Sequence, residues 1–156
     1  MDKQKKEGRY GRIYEQIAGL MQKSPTPLAR MATINAVLHH KMEYFFWTGF
    51  YLLGDGTLTV GPYQGPPACQ LLEKDKGVCW AAVNSGKAIL VEDVHQFPGH
   101  IACDSRSNSE IAIPLIRPDG QVEGVFDVDS KEAGSFDQID QVWLEKIIAL
   151  VFRPTP

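Results

Sequence analysis

No run of about twenty apolar residues occurs in this sequence, so no segment of it reads as a membrane-crossing helix. Positive charge is not in surplus: 16 Lys and Arg stand against 19 Asp and Glu, and a net charge of -3 gives no electrostatic footprint for nucleic acid. The glycines form neither GxGxxG nor a phosphate loop. CxxC is absent too. The three cysteines, Cys69, Cys79 and Cys103, are spaced too widely for the usual zinc pattern, even with His95 or His100 as a further ligand. A cysteine phosphatase would need an arginine six positions beyond its cysteine, and Ser109 stands there. The N-terminus MDKQKKEGRYGR has no apolar core behind its charges, so no secretory signal is expected and the cytoplasm is the expected compartment.

What is present reads as one globular domain over residues 1–156, with 1–9 a flexible tail or the frayed start of a helix. Ile13, Ile17 and Leu20 recur at helical spacing. Ser24-Pro25-Thr26-Pro27 then breaks the chain. A second helix carries Leu28, Met31, Ile34 or Asn35, and Leu38 on one side. Segment 44–53 is aromatic and strand-like, and Gly54-Asp55-Gly56 turns it into a hairpin partner at 57–64. Gly65-Pro66-Pro67 opens a loop that carries Cys69. A short helix over 78–85 is ended by Gly86, and a short strand over 88–92 follows. The loop 93–108 is polar and long for a compact domain, which marks it as functional. A second hairpin, 109–117 with 121–129, turns at Pro118-Asp119-Gly120. The last helix, 137–152, has Asp137 as N-cap and points Ile139, Val142, Trp143, Ile147 and Leu150 inward. Hairpins between terminal helices predict an α+β domain with an antiparallel sheet.

Side chains alternate along strand 121–129. Val122, Gly124, Phe126 and Val128 suit packing against helices, whereas Glu123, Val125, Asp127 and Asp129 share the other face. A solvated sheet face is the ordinary reading of such carboxylates. Clustered, they also hold an ammonium group or share a proton, because a like-charge neighbour raises one pKa. Trp47, Gly49, Tyr51 and Leu53 form an aromatic stripe on strand 44–53, a feature of cores and equally of walls that grip a thioether or sulfoxide. An odd cysteine count in a reducing compartment speaks against a disulfide framework and leaves packing, ligation or thiol chemistry. Cys103 sits in the polar run GHIACDSRSNSE at 99–110, where His100, Arg106 and backbone amides can favour a thiolate.

The segments WTGFYLL (47–53), GPYQG (61–65), AC (68–69), GVC (77–79), EDVHQFPGHIACDSRSNSEIAIPL (92–115) and GVFDVDS (124–130) resemble, in this order, the free methionine-(R)-sulfoxide reductases, a GAF-domain family. The resemblance implies a GAF-like antiparallel sheet, with N- and C-terminal helices on one face and a ligand pocket on the other. It also implies reduction of free methionine-(R)-sulfoxide with no bound cofactor or metal. Cys103 matches the attacking cysteine, Cys69 the resolving cysteine that pairs with it, and Cys79 a third cysteine of unassigned role. Glu110, Asp127 and Asp129 match the substrate-binding and proton-donating carboxylates. Trp47 and Tyr51 match the aromatic wall. The partners implied are the free amino acid and a thioredoxin-type reductant, with room for a homodimer and no role for nucleic acid or membrane.

Two departures from the family pattern stand out. Trp80 occupies a position that is usually glycine, and its bulk is expected to narrow the pocket. Pro66-Pro67 is expected to stiffen the loop that must bring Cys69 to Cys103. The rival class is a non-catalytic GAF sensor; loss of the cysteines would favour it, and all three are present.

Overall fold

The computed structural model describes residues 1–100 and 103–152. Two helices, α1 (Lys3–Met21) and α2 (Pro27–Lys41), precede the hairpin β1 (Trp47–Gly54) and β2 (Thr57–Gln64). A two-residue strand β3 (Leu71–Leu72), helix α3 (Gly77–Ser85) and strand β4 (Ile89–Val91) follow. The hairpin β5 (Ser109–Ile116) and β6 (Val122–Ser130) then leads to α4 (Gln138–Ala149). The strands form one sheet in the order β3-β2-β1-β6-β5-β4, antiparallel throughout. This is the expected α+β fold. Asp55 and Gly56 both take positive φ in the β1–β2 turn, the backbone that a two-residue hairpin needs.

Strand alternation sorts the two sheet faces. Phe50, Ile111, Ile113, Leu115, Phe126 and Val128 pack under α1, α2 and α4. Trp47, Tyr51, Ala112 and Val125 face the other way, toward α3 and its loops. Burying one apolar side chain of this size removes about 1.5–3 kcal/mol of unfavourable hydration, so the period-two pattern fixes which face meets the helices.

Several details differ from the sequence expectations. β1 starts at Trp47 and not at Tyr44, because Tyr44 turns its hydroxyl onto Asp140 of α4. Leu20, Leu28 and Val142 are exposed, and Met21, Leu144 and Ile148 are buried instead. On α4 the buried stripe runs through Asp140, Leu144, Ile147 and Ile148, and Val142 lies on nearly the opposite side of the helix. Both Ile34 and Asn35 are buried, the latter donating to the Pro62 carbonyl at 2.7 Å. Two pieces escape the sequence pattern: β3, and a 3-10 turn over Val94–Gln96 inside the polar loop.

Residues 1–9, expected as a flexible tail or the frayed start of a helix, hold the start of α1, with Asp2 as N-cap. The reason lies 134 residues away. Buried Lys6 sets its Nζ 2.7 Å from Oδ2 of Asp140, which has no exposed surface. Tyr10 donates to the same carboxylate at 2.6 Å, and the Asp137 N–H closes the α4 capping box on it at 2.8 Å. Lys6→Met removes the cation and leaves the carboxylate buried. Stranding such a charge costs roughly 3 kcal/mol, at the low end because the tyrosines and the backbone still serve Asp140. The melting temperature at neutral pH should fall by roughly 6–12 °C in calorimetry.

Candidate active site

Register brings the carboxylates together. Glu110 of β5 lies directly opposite Asp129 of β6, and Asp127 opposite Ala112. On the other side of β6, Trp47 pairs with Asp129 and Gly49 with Asp127. Glu110 and Asp127 are buried, and all three carboxylates line a pocket under α3. Trp47, Tyr51, Cys79 and Cys103 line it as well. The structure therefore gathers seven of the eight residues singled out from the sequence around one cavity. The eighth, Cys69, lies at its edge and is bonded to Cys103, with Cα atoms 5.4 Å apart.

The aromatic wall is a stack. The Trp47 indole lies between Tyr51 and Tyr63, with ring centroids 5.7 and 5.3 Å away. A side chain at Gly49 would come within 2.4 Å of the Tyr63 Cβ and 2.6 Å of the indole, so only glycine lets the ring lie over the strand. Tyr51 donates its hydroxyl to the Cys69 carbonyl at 3.1 Å and so ties the wall to the cysteine loop.

Electrostatics make the floor acidic in the chemical sense. Burial, then the charge of Asp129, pushes the Asp127 carboxyl from its ordinary 3.8 to about 8. Glu110 is raised well above its ordinary value by burial and then by Asp127. Asp129, half-buried, is raised by desolvation and by Glu110 and Asp104. The Cys79 thiol is pushed up by burial and by Asp127 and Glu110, so it stays protonated. One ligand atom from each of Cys79, Glu110 and Asp127 lies within 4.8 Å of the other two. Such a trio would ligate a cation only after giving up its protons, and its surroundings favour keeping them. At neutral pH the floor holds protons ready to give.

Three expectations about this site need correction. Arg106 does not face Cys103 as a thiolate partner: it forks onto Asp104 at 2.9 and 2.7 Å and lies over the Phe46 ring. His100 lines the pocket, but burial and then His95 lower its pKa, which keeps it neutral. Trp80 does not narrow the pocket. It is buried behind the pocket wall, with its indole N–H donating to the Leu72 carbonyl at 3.4 Å. Pro66 and Pro67 lie in the loop whose Cys69 is bonded to Cys103. Of the loop around Cys103, Ile101 and Ala102 lie outside the described residues.

Sequence reasoning does not single out Lys76, Asp104 or Ser107, which also line the pocket, or Tyr63 behind Trp47. Tyr63 was within reach of the period-two pattern of β2; the others sit in loops or at a helix end, where no periodicity applies. Among the described residues, Trp47 Nε1 and Asp127 Oδ1 are buried without a hydrogen-bond partner. Unsatisfied groups of this kind are uncommon in native interiors and mark a place for a polar ligand.

Comparison with known proteins gives this arrangement its context. Residues 33–151 match the GAF domain family. Free methionine-R-sulfoxide reductase of Escherichia coli is 41% identical over 140 residues, covering 90% of this chain and 84% of the relative. The chain belongs to this GAF-domain reductase family. GAF domain-containing protein A of Dictyostelium discoideum is 42% identical over 152 residues, covering 97% of this chain and 95% of that protein. The crystal structure of free methionine-R-sulfoxide reductase from Neisseria meningitidis in complex with its substrate superposes with a TM-score of 0.89. It is 35% identical and covers 99% of this chain and 93% of that chain. Among the described residues, no helix is long and apolar enough to cross a membrane.

Proposed function

We propose that this chain reduces free L-methionine-(R)-S-oxide to methionine, with Cys103 as nucleophile, Cys69 as resolving thiol and the Glu110–Asp127 pair as proton donor. The observation that carries the reading is the Cys69–Cys103 disulfide at the edge of a pocket floored by buried carboxylates of raised pKa. Sulfoxide oxygen leaves badly unless protonated, and a carboxylic acid kept neutral near pH 7 is the group that protonates it. The acid gives one proton to the sulfoxide oxygen and the Cys103 thiolate attacks the sulfur; the methionine S–O bond breaks as the hydroxyl passes to the Cys103 sulfur, so methionine departs with the electron pair and Cys103 is left as a sulfenic acid. The Cys69 thiol then displaces water to form the disulfide. An external dithiol of the thioredoxin class exchanges with that disulfide and restores both thiols. A reductant of that kind is at home in the cytoplasm, which is where this cycle would run.

The rest of the pocket suits the two charged ends of a free amino acid. Carboxyl oxygens of Asp129 and of the Glu110–Asp127 pair accept from its ammonium, whose positive charge offsets the like-charge crowding among them. The first N–H groups of α3, which no side chain caps, answer its carboxylate. Trp47 and Tyr51 flank the methyl-sulfoxide end. The described residues of one chain supply this pocket, so a homodimer would be an addition to the mechanism and not a condition for it.

The test is racemic free methionine sulfoxide with dithiothreitol, followed by chiral analysis of the remainder. The R epimer at sulfur should disappear and the S epimer persist. N-acetyl-methionine sulfoxide should react at least roughly tenfold more slowly, because losing one charge partner in a buried site costs about 1.4 kcal/mol or more. Equal loss of both epimers, loss of neither, or matching rates on the acetylated compound would overturn the reading.

A further inference from the structure

We propose that Cys79 is a positioning residue for the acid of this reaction: its thiol donates a hydrogen bond to the Asp127 carboxyl and takes no part in the thiol–disulfide cycle. The inference rests on the proton-donor role proposed above for the Glu110–Asp127 pair.

Geometry comes first. Cys79 is buried in the first turn of α3, which packs across β5 and β6. Its Sγ and one oxygen each of Glu110 and Asp127 lie mutually within 4.8 Å. Asp127 is confined by its register between Ala112 and Gly49, so its side chain finds no cross-strand polar partner. One of its oxygens, Oδ1, is buried and has no hydrogen-bond partner among the described residues. The Glu110 carboxyl and the Cys79 thiol are the hydrogen-bearing groups that share this cluster with it, and a side-chain rotation of either would supply the missing donor.

Chemistry then separates Cys79 from the other two cysteines. Cys69 and Cys103 are bonded to each other, and Cys79 is the free one. A thiol is a nucleophile only as thiolate. Burial and two adjoining carboxyls hold Cys79 as S–H, the form that donates. A donor to the ionised form favours that form, so the thiol draws the Asp127 pKa down against the burial that raises it. Cys79 thereby keeps the acid strong enough to give up its proton. Other charged or titratable groups face the same carboxyl. They are Glu110 from β5, Asp129 along β6 and Tyr51 from β1, with Lys76, His100 and Asp104 around the pocket.

The experiment uses the full chain with free methionine sulfoxide and dithiothreitol and follows kcat/KM against pH. Activity of the wild type should fall as pH rises through about 8, where the Asp127 acid is lost. Cys79→Ala should move that limb up by on the order of one pH unit. It should also lower kcat about tenfold with little change in KM, since the acid acts in the transition state. Cys79→Ser, which keeps a donor, should restore both. An unmoved limb in Cys79→Ala, or equal damage from serine and alanine, overturns the proposal. A measurement without variants stands beside it. In the oxidised protein Cys79 is the only thiol, so the infrared S–H band reports it alone. That band should shift to lower frequency as Asp127 ionises near pH 8. A band that ignores this transition also overturns the proposal. If the wild type leaves the sulfoxide untouched, the catalytic reading falls while the band still decides the hydrogen bond.

Discussion

Cys103→Ser should abolish methionine formation, lowering single-turnover yield by at least about a thousandfold even with excess dithiothreitol. The loss should be that large because nucleophile and intermediate are the same sulfur: serine neither attacks a sulfoxide at neutral pH nor forms the sulfenic acid. Cys69, half-buried, is held by its loop toward the Cys103 side of the pocket. Cys79 is buried and kept as the thiol. Neither is placed to take over. Cys69→Ser should behave differently. It should release one equivalent of methionine and then stall with a thioredoxin-type reductant, for want of the thiol that converts the sulfenic acid to a disulfide. Quenched-flow methionine assays on pre-reduced protein separate the two variants. Methionine release that survives in Cys103→Ser but vanishes in Cys79→Ser would show that the attacking sulfur has been assigned to the wrong residue.

The parts of this architecture that were legible in the sequence are those a one-dimensional period encodes. Alternation on β6 assigned Phe126 and Val128 to the helix side and Asp127 to the opposite face, and the structure keeps that division. Asp137 as the cap of α4 was legible because capping is local. Partnerships across the chain were not. Lys6 reads as one more cation in a basic N-terminus until Asp140 is seen beneath it. The phase of an amphipathic helix was ambiguous by one residue where apolar residues are adjacent, as at Leu20 and Met21, and packing chose Met21. The carboxyl cluster was half legible. The resemblance pointed to Glu110, Asp127 and Asp129, but their convergence depends on the β5–β6 register. The presence of Cys79 among them depends on where α3 lands. Arg106 departs from its expected place for a related reason. Spacing put it near Cys103, while a carboxylate two residues before it and the Phe46 face took its charge.

Asp127→Asn should make the protein more stable while it makes the enzyme worse, and the stability gain should grow with pH. The folded chain raises the Asp127 carboxyl from its ordinary 3.8 to about 8, chiefly through burial and then through Asp129. Below pH 4 the carboxyl is protonated folded or unfolded, and it contributes no difference. Between pH 4 and 8 the unfolded chain ionises it freely while the folded chain must keep the proton, so stability is lost as pH rises. Above about 8 the full penalty is present, because the folded chain then carries a buried anion beside Asp129 and Glu110. Asparagine keeps the shape and carries no charge. It also relieves Glu110, whose pKa Asp127 helps to raise. The variant should therefore melt close to wild type at pH 4. At pH 9 it should melt higher by roughly 5–15 °C, the equivalent of about 2–4 kcal/mol. Activity should move the other way: an amide cannot give the sulfoxide its proton, and kcat should fall about a hundredfold or more. Calorimetry of the oxidised proteins across pH, beside turnover of the reduced ones, reads both effects. A melting difference that is flat in pH would mean that Asp127 is not held protonated by the fold, and the acid would have to be sought in Glu110 alone.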